Sequence, residues 1–223
     1  SSDNSILVTK DEPDANPAVT IDNAPSGSLT IASFNGPGSR TIDSSGDSAI
    51  DINLDSSTDL TIQGFTLTTS DGSSDVINLQ ADLSSLTLDQ NTITTNSNNG
   101  VLVAVGSGNT IGTVTLEAND VDASSDSAAS AFDIGSAVNE VNINNNIIDN
   151  GGTHTNDGAS AVQFRGADTV TVTNNDFQNV DDEGFVAGTA DSAASGTYTF
   201  SQNDFEDVGT AVAVNAGVVT GKA

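Results

Sequence analysis

The chain has no cysteine, no methionine and no tryptophan among its 223 residues. Without cysteine it can form neither a disulfide framework nor a thiolate metal site, and cysteine redox chemistry is excluded. No run of about eighteen apolar residues occurs, so the sequence predicts no direct insertion into a membrane. No secretory signal peptide is visible, and because the sequence starts at Ser1 rather than at methionine, we expect a processed or excised form.

Positive charge is also scarce. Four lysines and arginines stand against 31 aspartates and glutamates, which gives a formal net charge of -27. Nucleic acids and anionic membranes attract basic proteins, so both are excluded as partners. Cations and neutral glycans remain possible ligands for such a surface.

The acidic residues are almost all aspartate, because only five of the 31 are glutamate. At molar salt the Debye length falls to roughly 3 Å, so repulsion among these carboxylates is screened while their hydration keeps the protein soluble. The composition therefore predicts a protein of an extreme halophile. The alternative is an acidic secreted protein that binds Ca²⁺, with Asp120 and Asp122, or Asp181, Asp182 and Glu183, as candidate ligands.

A short phrase of alternating apolar and polar residues returns along the chain at a spacing of 26 to 29 residues. Its six copies are Leu60-Thr61-Ile62, Leu86-Thr87-Leu88, Val114-Thr115-Leu116, Val141-Asn142-Ile143, Val170-Thr171-Val172 and Tyr198-Thr199-Phe200. A repeat of this length cannot bury its own apolar face, so its copies must stack on one another. The period predicts a solenoid.

A polar residue recurs five places after the first apolar residue of these phrases. The residues concerned are Asn91, Asn119, Asn146, Asn175 and Asn203. Asparagine tolerates left-handed backbone geometry and carries both donors and acceptors, so it can turn a corner and bond to the copy above. We predict an asparagine ladder, preceded by stacked aromatics at Phe34 and Phe65, which occupy the same offset in earlier copies.

Two more strands are predicted in each repeat. One alternates halfway along the unit, as in Ile77-Asn78-Leu79, and a shorter one follows the asparagine corner. The inward residues predicted for the shorter strand are Ile93, Val121, Ile147, Phe177 and Phe205. No useful length of the sequence has apolar residues at helical spacing, so no helix is predicted. Each coil is therefore predicted to consist of these three strands.

The pattern resembles the right-handed parallel β-helix of the pectate-lyase-like superfamily. The trailing phrase Asn174-Asn175-Asp176-Phe177 is similar to repeats in acidic surface proteins of the haloarchaeal type. The resemblance implies an all-β solenoid of about seven coils with three short strands per coil. Residues 1–28 would form an N-terminal strand and cap, and residues 29–223 one elongated domain on a cell or virion surface.

This superfamily also contains lyases, glycosidases and epimerases that act on carbohydrates. Asp181 and Asp182 resemble the paired aspartates of polygalacturonases, but the accompanying Gly-His-Gly and Arg-Ile-Lys motifs are missing, and a solvated turn is favoured. Arg165 is the candidate base of a lyase, whereas an outward arginine in an acidic coat more often pairs with carboxylates. His154 has no second histidine for a zinc site and is expected in an exposed loop.

The two ends of the repeat region suggest self-association. Ile6, Leu7 and Val8 form a short apolar strand, and Val218 and Val219 begin a further coil. Open strand edges pair readily, so we expect end-to-end or strand-donating assembly, unless the chain is a segment of a longer β-helix.

Three functions remain open. The first is a non-enzymatic extracellular structural or adhesive module of a halophile, in which the regular residues serve only to build the coil. The second is a carbohydrate-active enzyme, and the third is a virion fibre or spike that binds glycans.

Overall fold

The computed structural model describes residues 4–8, 12–15, 19–22, 27–54, 58–70, 74–80, 82–95, 101–103, 110–123, 130–135, 137–150, 160–187, 196–214 and 218–221. These residues form β-strands joined by turns and contain no helix. His154 lies outside the described residues.

The strands follow one another along the whole described chain. The first twelve are β1 (Asn4–Val8), β2 (Glu12–Ala15), β3 (Val19–Ile21), β4 (Gly27–Ser33), β5 (Arg40–Ser44), β6 (Ile50–Ile52), β7 (Thr58–Gln63), β8 (Phe65–Thr69), β9 (Ile77–Leu79), β10 (Leu83–Asp89), β11 (Thr92–Thr95) and β12 (Val101–Val103). The remaining strands are β13 (Ile111–Glu117), β14 (Asp120–Asp122), β15 (Phe132–Ile134), β16 (Val138–Asn144), β17 (Ile147–Asp149), β18 (Val162–Phe164), β19 (Thr169–Thr173), β20 (Asp176–Ala187), β21 (Thr197–Ser201), β22 (Asp204–Val214) and β23 (Val218–Gly221).

These strands stack in three parallel columns. The first column is a sheet of nine strands in the order β1-β4-β7-β10-β13-β16-β19-β21-β23. The second column is β2-β5-β8-β11-β14-β17 and the third is β3-β6-β9-β12-β15-β18, and the long strand β20 runs through both and joins them into one sheet. Among the described residues, every strand pairing is parallel and links a strand to its counterpart one coil away, so the predicted all-β parallel β-helix is confirmed.

The coil count agrees with the prediction. Seven successive coils begin at β4, β7, β10, β13, β16, β19 and β21. Ahead of them, β1, β2 and β3 lie parallel to β4, β5 and β6 respectively, so residues before 27 extend the same three columns. The division of the chain at residues 28 and 29 stays a prediction.

The core is a set of apolar files that run along the axis. In the first column, Leu60, Leu86, Val114, Val141 and Val170 lie side by side in register, and each is at most 1% exposed. A file of the second column ends in an aromatic pair, in which Phe177 and Phe205 are in register and stack with ring centroids 4.9 Å apart. Burial of large side chains in every coil supplies the hydrophobic stabilisation that no single coil could provide.

The outward positions of the first column form a second regular pattern. The file at its centre runs through Thr30, Thr61, Thr87, Thr115, Asn142, Thr171 and Thr199. We call it the threonine file. Successive members lie roughly 4.8 Å apart, as neighbouring strands do.

Two predicted inward or stacked residues were wrong. Ile147 is 46% exposed, and the residue paired in register with the buried Val121 and Phe177 is Ile148. The cause is the two-residue period of a strand, because a shift of one position moves a side chain to the opposite face. Phe34 is 43% exposed and does not stack on Phe65. Residues 34–39 form an extra turn, so that Arg40 is the register partner of Phe65.

Candidate functional site

The ladder asparagines line one corner of the coil, between the first and second columns. The Nδ2 group of each donates to the Oδ1 of the next, and the distances along the column are 3.1 Å, 3.0 Å, 2.9 Å and 2.9 Å. Each Oδ1 also accepts the backbone N–H of the preceding member, as in the 3.0 Å bond from Asn119 to Asn146. A second bond from Nδ2 reaches a carbonyl of the preceding coil, such as Leu116 for Asn146 at 2.9 Å.

This column is almost dry, because Asn91, Asn119, Asn146 and Asn175 are at most 2% exposed. Buried amides are tolerated only when their donors and acceptors are bonded, and here each interior amide is bonded on both sides. The ladder is therefore a structural device that repeats at each coil, and it offers no group to a substrate.

The residue with left-handed backbone geometry at this corner is the one before each asparagine and, in the earlier coil, the one before Phe65. Its φ angle lies between 53° and 78° in the six copies Gly64, Gln90, Ala118, Asn145, Asn174 and Gln202. Glycine and asparagine reach this region at low cost, whereas glutamine and alanine do so only when the surroundings fix the turn. The asparagine was predicted both to turn the corner and to bond to the next copy. The left-handed turn belongs to the residue before it, whereas the bond between copies is formed by the asparagine.

Arg165, the candidate lyase base, follows β18 and is held by a carboxylate of the coil before. Its Nη2 lies 2.5 Å from Oδ2 of Asp133, and its Nε lies 3.2 Å from Oδ1. The Asp133 side chain is 6% exposed and the Arg165 side chain 49% exposed. Both guanidinium contacts go to one carboxylate, so the pairing expected of an outward arginine in this acidic coat is formed.

Asp181 and Asp182 do not lie in a turn. They are part of the long strand β20, at the place where its register with β22 shifts between Val180 and Glu183. The close neighbour here is Gly209, where a Cβ atom would sit 2.3 Å from the carbonyl oxygen of Asp181. Close backbone pairing thus holds this acidic segment extended, against the prediction of a solvated turn.

The three acidic residues of this segment do not converge on one point. Asp181 is exposed, while Asp182 and Glu183 are half-buried. Glu183 accepts a hydrogen bond from the hydroxyl of Ser160 at 3.2 Å. Asp182 also has a bonding or electrostatic partner. The arrangement brings no acid and base together across a cleft, which a glycosidase would need.

Asp120 and Asp122 both lie on the outward face of β14, with the buried Val121 between them. Within the described ranges, no group of three or more histidine, cysteine, aspartate or glutamate side chains could hold a metal ion. Ca²⁺ in proteins is ordinarily bound by roughly six to eight oxygen atoms, which come from several side chains, backbone carbonyls and waters. The candidate calcium ligands are therefore unsupported by a carboxylate cluster in this part of the chain.

One carboxyl on the third column is electrostatically distinct. Burial raises the pKa of Asp51 above its ordinary value of 3.8, and the nearby Asp47 and Asp22 raise it further. A hydrogen bond from the amide of Asn78, 3.1 Å long, lowers the pKa, but its effect is smaller than that of burial. Asp51 therefore takes up a proton more readily than an isolated aspartate.

The end of the coil near β1 is open and apolar. A cavity of about 360 Å³ there is lined mainly by aliphatic residues, among them Ile6, Val8, Ile21, Leu29, Ile42 and Ile50. Ile6 is 50% exposed and Leu7 57% exposed. Among the described strands, β1 pairs only with β4 and is the terminal strand of the first sheet.

Sequence analysis did not single out the threonine file. Its signal was the middle residue of each repeated phrase, which is threonine in five of the six copies. That residue alternates outward, so it contributes nothing to the core, and only the register shows that the copies form one continuous row.

A protein-family model described as right handed beta helix region matches residues 77–221. Comparison with curated proteins and with solved structures gave no match. In the described part of the chain, no helix is long and apolar enough to cross a membrane.

Proposed function

The chain belongs to the right-handed β-helix family, and from this premise we propose that it is a non-catalytic structural and adhesive module of an extracellular surface at high salt. The largest buried side chains, such as Phe65, Phe132 and Phe164, belong to the core, and the ladder asparagines bond to one another and to backbone carbonyls of neighbouring coils. The surface carries the excess of 27 negative charges, which suits a strongly saline medium.

The observation that carries this proposal is the placement of the candidate catalytic side chains. Arg165 is bound through two nitrogens to Asp133, and Asp181 and Asp182 lie in a paired strand rather than facing each other. A lyase needs a free base beside its substrate, and a glycosidase needs two facing carboxyl groups. Arg165, Asp181 and Asp182 form neither arrangement.

We expect no turnover of polysaccharides. The protein, at about 2 M NaCl to screen its charge, would be incubated with polygalacturonate and with neutral glycans, and released reducing ends and unsaturated uronates would be measured. Asp182→Asn serves as the matched variant. Product formed by the wild type and lost in Asp182→Asn would overturn the non-catalytic assignment.

Assembly through the coil ends is the structural part of the proposal. A second copy can add its last coil to β1, because the described strands of the first sheet begin with β1 and end with β23, and all of them are parallel. The partner's coil would cover the aliphatic cavity beside Ile6 and Val8. Head-to-tail contacts of this kind do not close on themselves and so build a filament.

Oligomers are therefore expected in sedimentation at about 2 M NaCl, where charge repulsion is screened. Ile6→Asp would place a carboxylate in the covered cavity and give monomers, and deletion of residues 1–9 would do the same. Ile147→Asp is the control, because Ile147 is similarly exposed at 46% but lies on the side wall of the coil. A monomeric wild type, or oligomers that survive the deletion, would contradict the proposal.

A further inference from the structure

The extra turn at residues 34–39 carries an asparagine that is followed directly by a glycine. Asn35 is exposed and has left-handed backbone geometry with a φ angle of 75°, and Gly36 follows with a φ angle of 94°. A Cβ atom built on Gly36 would have nothing within 4 Å, so the space around this peptide bond is open. The Asn35–Gly36 pair therefore has the room that a ring-forming reaction needs.

The two groups that would react are not engaged in hydrogen bonds within the described residues. There the N–H of Gly36 donates no hydrogen bond, and the Asn35 side chain makes none. The carbonyl oxygen of Gly36 is held instead, because it accepts from the hydroxyls of Ser39 at 2.7 Å and Ser33 at 3.1 Å. The turn is thus fixed beyond the Gly36 nitrogen, while that nitrogen is free to approach the Asn35 side chain.

Two exposed asparagines at the ladder corner have similar backbone geometry but are followed by an engaged nitrogen. Asn145 and Asn174 have φ angles of 57° and 56°. The N–H group that follows each belongs to a ladder asparagine and donates to the Oδ1 of the next one, at 2.9 Å for Asn146 and 3.0 Å for Asn175. Such a nitrogen must lose its hydrogen bond before it can attack a side chain, which slows the reaction.

The ladder asparagines themselves are protected in two ways. Their amides are buried and bonded on both sides, and the N–H of the residue that follows is bonded as well. Asp120 follows Asn119, and its N–H donates to the carbonyl of Asn91 at 2.9 Å. Ile147 follows Asn146, and its N–H donates to the carbonyl of Asn119 at 2.9 Å. Freeing buried groups from their partners is costly, so the fold keeps these asparagines intact.

We propose that Asn35–Gly36 is a self-modification site at which the folded protein deamidates. Solvent hydroxide removes the proton from the Gly36 nitrogen, which then attacks Cγ of Asn35. A C–N bond forms, the side-chain amide leaves as ammonia, and a cyclic succinimide results. Water opens this ring at either of its carbonyls and leaves aspartate or isoaspartate at position 35. The net reaction consumes water and releases ammonia, so it needs no oxidant and no cofactor.

The reaction changes the extra turn and leaves the coil folded. Either product adds a negative charge beside Phe34, which is 43% exposed. Isoaspartate also adds a carbon to the main chain between Phe34 and Gly36, whose carbonyl oxygens both contact the Ser39 hydroxyl, so this turn must rearrange. The core is not involved, because Arg40 pairs in register with Phe65 beyond the turn. The modification requires neither adhesion nor assembly, so its test is independent of the proposed function.

The test is peptide mapping by mass spectrometry after the folded protein has been incubated at about 2 M NaCl in mildly alkaline, heavy-oxygen water. We expect labelled aspartate and isoaspartate to form at position 35 at least about tenfold faster than at Asn145 or Asn174, which corresponds to about 1.4 kcal/mol in activation free energy. Peptide-level analysis distinguishes this site from Asn99–Gly100 and Asn150–Gly151, which extend beyond the described residues. Thermal unfolding under the same conditions checks that the protein stays folded during the incubation.

Asn35→Gln is the matched variant, because the longer side chain closes a ring more slowly and glutamine already has left-handed geometry at Gln90 and Gln202. It should reduce the label at position 35 by about tenfold. Unfolding in urea frees the N–H groups at the corner, so the rates at Asn145 and Asn174 should rise by about threefold. Product at position 35 only after unfolding, equal rates at all three exposed asparagines in the folded protein, or corner rates that urea leaves unchanged would overturn the inference.

Discussion

Replacing Asn146 with leucine is expected to lower the free energy of unfolding by about 3 to 5 kcal/mol, because several buried polar groups lose their partners at once. Its Oδ1 accepts both the backbone N–H and the Nδ2 of Asn119, each at 3.0 Å. Its Nδ2 donates to the carbonyl of Leu116 and to Oδ1 of Asn175, both at 2.9 Å. Urea denaturation at about 2 M NaCl, where the charge is screened, measures the loss.

Asn203→Leu is the matched control at the end of the same ladder. Asn203 accepts from Asn175 and donates to the carbonyl of Val172, but its side chain is only half-buried. Water can satisfy part of what is lost, so the expected cost is less than half of that at Asn146. Equal costs at the two positions would show that burial of the column does not govern its contribution.

Lowering the salt concentration is expected to produce the second large effect. Between about 2 M and 0.1 M NaCl the Debye length grows from a few Å to roughly 10 Å, so like charges on neighbouring strands begin to repel. The register places several acids beside one another, namely Asp89 with Glu117, Asp122 with Asp149 and Asp176 with Asp204. We expect the melting temperature to fall by about 10 °C or more, corresponding to several kcal/mol.

One strand offers a matched pair of variants for this measurement. On β14, Asp122 stands in register with Asp149, whereas Asp120 stands between Thr92 and Ile147. Removing one charge by Asp122→Asn should therefore flatten the salt dependence more than Asp120→Asn does. A melting temperature that does not change with salt, or two variants that behave alike, would argue against stacked carboxylates as the cause.

The coil and its ladder could be predicted because both depend on spacing. The interval from Leu86 to Val114 is one full turn, so residues at equal offsets must lie in one file. The same counting locates Asn91 and Asn119 in one column without any knowledge of the turn. The spacing of the repeats was therefore sufficient to predict the fold and the identity of the ladder residues.

Contacts that occur in only one coil could not be predicted from the spacing of the repeats. The turn at residues 34–39 interrupts the period and removes Phe34 from the stack. Gly184 and Gly209 let β20 and β22 pair closely where earlier coils have separate strands, and a Cβ atom at Gly184 would lie 2.8 Å from the Phe205 ring. Acidic composition favoured a turn at Asp181, and this tertiary pairing overrides it.

The sequence could predict that Arg165 pairs with a carboxylate, but it could not predict which one. Carboxylates are so numerous that some partner was certain, but its identity depends on the pairing of β15 with β18, which sets Asp133 beside Gln163. Arg165 then reaches back across one coil to a carboxylate that is otherwise buried. Sequence order separates these two residues by 32 positions, and only the winding brings them together.

The interior members of the asparagine ladder have nearly the same surroundings, from Asn119 through Asn175. No coil in that stretch has a unique structural role, so duplication or loss of one complete repeat would leave the same hydrogen bonds between the coils that then become neighbours. The number of repeats then sets the length of the β-helix, and selection can change this length without changing the residues that form each coil.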